Sequence, residues 1–447
     1  MSLSVEVIRA IRQRQERGLP QEIRDKVILH ISDTVGIALA AYKGAPIALQ
    51  AMSGISLGVE GGFGRVIGSK KLLPPAYAAF TNTALAHALD YDDINDNARI
   101  HPTPVTLAAA LAAADIEKFR STDLVTAVGI GNELLCRFGY AIEPKGTGPD
   151  SKWFLSQLFG YLGAAVTAGL VMGLDDDELV HALGLAYMQS AGGKEPGVGI
   201  GSQARSIYPA FASMGGVQAA LLAKKGVTAP ASCLDGKTGF FQNYFGKNLD
   251  EKQQSLLLDT DSWLFSDTSI KLYPSCRYTH LFIKSALELR NHFNLKDIDK
   301  IVIGINETAS MLCNPLEDRY HPTTLQDAKF SIPFMVAFAF VHGSVNLNNI
   351  TESALDDFQV LDLAKRIILQ NSPENSFGIP PGNIVVYSSG EVRMHSEHQV
   401  PQVTREQVKI KFIECCQFAH IDNSESLYKM LIQTIDYDLL NILPIMD

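Results

Sequence analysis

Nothing in this sequence spaces cysteine for a metal or a disulfide framework. Cys136, Cys233, Cys276, Cys313, Cys415 and Cys416 are scattered, and the adjacent pair fits no zinc pattern. Reduced cytosolic thiols are the plain reading. Basic charge is also short. Against 48 aspartates and glutamates stand 38 lysines and arginines, a net charge of -10. That argues against nucleic acid or an anionic membrane as the main partner. Internal repeats and low-complexity segments are missing too. With 46% hydrophobic and 19% charged residues, the chain is an ordinary globular one and not disordered. The first residues alternate charged and apolar (Val5, Glu6, Ile8, Arg9), unlike a signal peptide, so the expected compartment is cytoplasmic. One stretch, Trp153 to Leu174, is uncharged and long enough to span a bilayer. Its Ser156, Gln157 and glycines make it read better as a central helix, buried all round.

What is present fits two domains, since 447 residues can build two sizeable cores. Residues 4–43 read as two helices broken at Gly18-Leu-Pro20, and Pro46 opens a third that leads into a glycine-rich stretch. Further helices are expected on both sides of residues 88–102, at 123–140, after Asp175 and at 210–224. Loops are expected at 143–150 and 192–206. The character changes near Asp267. Ile301–Ile305 reads as a covered strand and Ile384–Met394 as a hairpin turning near Ser389-Gly390. Helices are expected between them, at 329–341 and 357–369. After Pro401 the pattern is helical again, at 404–416 and 425–443. The expected fold class is mainly α. It comprises a large all-helical domain, 1–266 with 401–447 returning to it, and an inserted smaller α+β domain over 267–400.

The centre of the chain is His87-Ala-Leu-Asp90-Tyr-Asp92-Asp93, followed by Arg99-Ile-His101-Pro102. Small, apolar helices flank this polar loop, which is where proton-transfer chemistry is expected; a solvated acidic loop is the alternative. A calcium loop starting at Asp93 fails, because Ala98 replaces the glycine and Pro104 stands where the bidentate glutamate belongs. Gly54-Ile-Ser56-Leu-Gly58 lacks the strand a serine elbow needs. Gly199-Ile-Gly201 lacks the βαβ context of a dinucleotide site.

Several spaced motifs resemble the MmgE/PrpD family. They are the central loop, Asp33-Thr34-Val-Gly36, the run from Gly215, Lys271-Leu-Tyr-Pro-Ser-Cys-Arg-Tyr-Thr-His280, and Ala328-Lys-Phe-Ser-Ile-Pro-Phe. Members of that family dehydrate 2-methylcitrate, decarboxylate cis-aconitate or epimerise iminodisuccinate. The resemblance implies a cofactor-free lyase, of dehydratase or decarboxylase type, acting beside a carboxylate of a small acid. An epimerase of a dicarboxylic acid, a carboxylate-binding relative without turnover and a metal-dependent enzyme are the alternatives. It also implies a homodimer and makes the α+β module a lid domain. By motif position Asp90, His101 and Lys271 become catalytic. The lysine would hold a carboxylate and neutralise an enolate-like state. Arg205, Arg277, His280, Phe154 and Tyr208 become substrate-binding candidates, and no metal ligand is assigned. An acidic chain that binds a polycarboxylate needs a local cationic pocket to overcome its own field.

Two positions depart from the family. Phe154 stands where a second histidine is usual, and Arg205 where a lysine is usual. A guanidinium keeps the charge but gives up no proton near neutral pH. An apolar ring at 154 leads to the expectation that 2-methylcitrate and cis-aconitate are poor substrates, since an unmatched buried polar group costs about 1–3 kcal/mol.

Overall fold

In the computed structural model, which describes residues 2–116, 120–145, 148–371 and 378–446, small side chains decide how the central helices meet. Thr103–Ala114 reads TPVTLAAALAAA and is buried at every position. It packs with Pro75–His87, Gly160–Met172 and Tyr208–Lys224, all rich in alanine and glycine. A helix apolar all round belongs at the centre of such a bundle. Leu155–Met172 is apolar and long enough to cross a membrane, yet 94% of it is buried inside the protein.

The chain divides into two units: residues 1–197, 204–270 and 404–447 in the first, 198–203 and 271–403 in the second. The first is helical but not purely so. Gly64–Arg65 pairs with Leu72–Leu73, and Ile94–Asn95 with Thr268–Ser269. Two-residue pairings leave no alternating pattern, so the sequence did not announce them. The loop expected at 143–150 ends in a 3-10 turn, Gly148–Lys152; its residues 146 and 147 lie outside those described. The helix expected at 425–443 covers only Ser424–Gln433. Past it the Asp436 carboxylate accepts from the Asp438 N–H (2.8 Å), a local turn that competes with helix.

The second unit carries a four-stranded sheet. Ile298–Ile305 lies between Ile367–Asn371, parallel to it, and Ile384–Ser388, antiparallel; Glu391–His395 completes the hairpin. The turn falls at Ser389 and Gly390, both at positive φ, as a tight hairpin requires. Helices His280–Arg290 and Ile332–His342 pack against one another, and the first of them covers part of the sheet. The helix expected to reach 369 stops at Lys365 and becomes a strand at Ile367. Val360, Leu363, Ala364 and Ile367 are all buried and keep the three-four spacing of a helix across the change, which hid it.

The helix Arg405–Phe418 packs on Gln21–Gly44 through a buried ion pair. Lys411 Nζ lies 2.8 Å from Asp33 Oδ1, donates to the Tyr91 carbonyl at 2.8 Å, and sits 3.7 Å from the centre of the Tyr91 ring. Burial pushes the Asp33 carboxyl up to about 6, against the pull of Lys411. Breaking a buried pair from one side leaves an uncompensated charge. Lys411→Met is therefore expected to cost about 3–5 kcal/mol in urea unfolding at pH 7, with Asp33→Asn/Lys411→Met recovering most of it. A double variant no more stable than the single one would contradict this.

Candidate active site

The central loop begins where Pro75–His87 ends. Asp90 adopts φ 53° and its N–H donates to the His87 carbonyl at 2.8 Å, turning the chain out of the helix. A left-handed residue other than glycine is uncommon, and aspartate tolerates it better than most. Arg99 repeats the device at φ 55°. Between them Asn95 organises the loop, accepting from the Ala98 N–H and donating to the Leu264 carbonyl, each at 3.0 Å. A Cβ on Gly139 would lie 2.5 Å from that of Ala98, so the loop lies this close only because residue 139 has no side chain.

Asp93 fixes the far side of the loop. It accepts from the Thr103 hydroxyl (2.5 Å), and His30 Nδ1 lies 2.7 Å away. Burial lowers the His30 pKa, with Asp93 opposing. This pair is a support for the helix that starts at Thr103.

Asp92 is the centre of the site. It is fully buried, and one of its oxygens, Oδ2, meets two imidazoles: His87 Nδ1 at 2.7 Å and His101 Nδ1 at 3.2 Å. The second contact is the poorer in angle as well as length. Burial alone would raise the Asp92 pKa. The two imidazoles reverse that and hold the carboxyl well below its usual range. An ionised carboxylate only accepts, so His87 Nδ1 carries the proton it donates and His87 Nε2 is left to give or take one. The His101 side chain is 12% exposed. Its backbone N–H donates to Ser156 Oγ at 2.9 Å, and Ser156 also bonds the Tyr208 hydroxyl.

An aromatic column extends from the imidazoles. His101 meets His87 edge-on (5.1 Å between centroids), His87 meets Tyr208 edge-on (5.0 Å), and Tyr208 stacks on Phe154 (4.3 Å). The Arg205 guanidinium lies over the Phe154 ring at 5.4 Å. Gly197 closes on the edge of that ring, where a Cβ would come within 2.7 Å. Burial raises the Tyr208 pKa, so its phenol stays protonated.

The first unit thus brings together His101, Phe154, Arg205 and Tyr208, with Asp90 near enough to act on the Tyr208 hydroxyl. Lys271, Arg277 and His280 lie in the second unit, all buried. There His280 Nε2 is 3.3 Å from the Ser275 carbonyl, and the Cys276 N–H donates to the Lys329 carbonyl (3.1 Å). The motif running from Lys271 therefore meets the motif containing Lys329. Sequence reasoning missed Asp92 and His87 as site residues, although both stand in the quoted loop. The carboxylate that touches His101 is Asp92, while Asp90 is the residue that motif position marks.

His87, Asp92 and His101 also offer three ligand atoms within 4.8 Å of one another. Two histidines and a carboxylate are a donor set that suits Zn²⁺ or Fe²⁺. Asp92 Oδ1 is buried and accepts no hydrogen bond among the described residues.

Imidazoles aligned by a buried carboxylate, with a guanidinium nearby, define an acid–base site in a mostly helical protein. The chain belongs to the MmgE/PrpD family: residues 9–253 match its N-terminal domain and 273–430 its C-terminal domain. It is similar to cis-aconitate decarboxylase of Mus musculus, 27% identical over 337 residues, 70% of this chain and 64% of that protein. The human protein of the same name is 27% identical over 329 residues, again 70% and 64%. That of Aspergillus terreus is 26% identical over 352 residues, 74% and 69%. The match spans just under two thirds of the length of the two mammalian relatives.

Because the folded pKa of Asp92 lies below its unfolded value, ionised Asp92 adds stability above about pH 4 and loses it as pH falls further. Asp92→Asn is expected to lower the urea midpoint at pH 7, with the gap from wild type shrinking toward pH 2.5. A gap that stays constant over that range would contradict the assignment.

Proposed function

We propose that this protein is a lyase, of decarboxylase or dehydratase type, that moves a proton beside a carboxylate of a small polycarboxylic acid. The observation that carries this reading is the single buried carboxylate shared by His87 and His101. With Asp92 3.2 Å from its Nδ1, His101 takes a proton from carbon through Nε2, or as Nε2–H returns one. In a decarboxylation the bond to the departing carboxylate breaks, carbon dioxide leaves, and the electron pair on carbon is protonated from Nε2–H. In a dehydration Nε2 removes the proton next to the carboxylate and hydroxide leaves, taking up a proton. Both routes build negative charge on a neighbouring carboxylate, which Arg205 is assigned to hold. The protonated Tyr208 phenol is a further donor.

The similarity to cis-aconitate decarboxylases supports the lyase class and makes cis-aconitate the first acid to assay. Phe154 stacks on Tyr208 with Arg205 over its ring, and His87 stands in the same column as a second imidazole. The expectation that an apolar ring at 154 disfavours tricarboxylates is what the comparison of acids tests.

The test is turnover of cis-aconitate, 2-methylcitrate and smaller unsaturated or hydroxy acids side by side. His101→Ala is expected to lower kcat on the best acid by about 10²–10⁴-fold. Full activity in that variant would sink the assignment. A metal-dependent lyase is the second reading, favoured by the donor set at His87, Asp92 and His101. Activity abolished by a chelator and restored by Zn²⁺ or Fe²⁺ would select it; activity unchanged by chelation is the result expected here.

A further inference from the structure

A second cation stands beside Arg205, and the family resemblance does not mark it. Residues 152–154 and 192–194 run against each other as a short antiparallel pair. The Phe154 N–H donates to the Gly192 carbonyl at 2.7 Å, Trp153 bridges Gly193, and the Lys194 N–H donates to the Lys152 carbonyl at 3.0 Å. The Gly197 N–H closes a turn onto the Lys194 carbonyl at 2.9 Å. This pins half-buried Lys194 next to Phe154, whose ring carries Arg205. Arg99, turned by its left-handed backbone, acts on the same ammonium. Three cations from three separate segments therefore crowd one place. Asp150 opposes them at Lys194, and neighbouring Lys152 and Glu195 are exposed to water. Like charges brought together in partly dry surroundings repel, and an anion bound among them relieves the repulsion.

We propose that Arg99, Lys194 and Arg205 form a carboxylate-binding subsite in the first unit. This rests on the reading of the protein as an enzyme of polycarboxylic acids and names where one carboxylate is held. Tyr208 connects the subsite to the proton-transfer groups, because its hydroxyl feels Arg205 on one side and Asp92 on the other. Burial, with Arg205 and Arg99 adding to it, brings the Lys194 ammonium down to about 8. Neither arginine titrates in this range. The chain thus keeps a cation able to release its proton near neutral pH, eleven positions before the arginine that replaces the family's lysine.

The experiment is calorimetric titration of the full chain with citrate, a carboxylate probe, at pH 7 and pH 9. Wild type is expected to bind citrate at pH 7 and to weaken by up to about ten-fold at pH 9, where an ammonium titrating near 8 has mostly lost its charge. Lys194→Met should bind at the weak level at both values, and Lys194→Arg at the strong level at both. If no carboxylic acid is turned over but this pattern holds, the lyase reading fails and the subsite stands. The proposal is overturned if wild type does not bind citrate. It is equally overturned if Lys194→Met matches wild type at pH 7, or if Lys194→Arg weakens with pH as wild type does.

Discussion

A carboxylate with no water around it must find its compensation in the protein. Asp92 finds it in two imidazoles that reach the same oxygen from opposite ends of one loop, His87 at its start and His101 at its finish. The loop cannot unwind without stranding that charge, and the rings cannot turn without losing their acceptor. One interaction therefore sets the path of residues 87–101 and the tautomer of His87. The aromatic column follows from it, since Tyr208 and then Phe154 stack outward from His87.

The supports beneath the loop follow the same logic of paired burial. Asp93 is held by His30 and Thr103, and Asp33 by Lys411, whose ammonium also caps the Tyr91 carbonyl. Three consecutive loop residues, Tyr91 to Asp93, are each tied to a different helix. Buried pairs of this kind add little net stability but penalise every alternative arrangement. In a site that must hold an imidazole nitrogen against a reacting carbon, that rigidity is what the surrounding helices provide.

Much of this was legible in the sequence. Long periodic helices, the hairpin at Ser389-Gly390 and the change of character near residue 267 followed from local patterns, and the family from spaced motifs. The strand at Ile367 was hidden because its first buried residue continues a helical spacing. The role of Asp92 was hidden because three aspartates in four positions look alike in one dimension, and only the left-handed turn at Asp90 decides which one faces the imidazoles. Lys194 was missed for a different reason. Its surroundings come from Arg99, Asp150 and Arg205, distant in the chain, and a lone lysine in a glycine-rich loop carries no local signal.

The central claim is that His101 and Asp92 move a proton to and from carbon next to a carboxylate. It is tested most directly by incubating the protein with cis-aconitate and smaller carboxylic acids in deuterated water and following deuterium at that carbon by mass spectrometry. Wild type should place one deuterium in the product or the recovered acid, and His101→Ala and Asp92→Asn should slow its appearance in parallel. Decarboxylation without deuterium at that carbon, or incorporation unaffected by either substitution, would contradict the account.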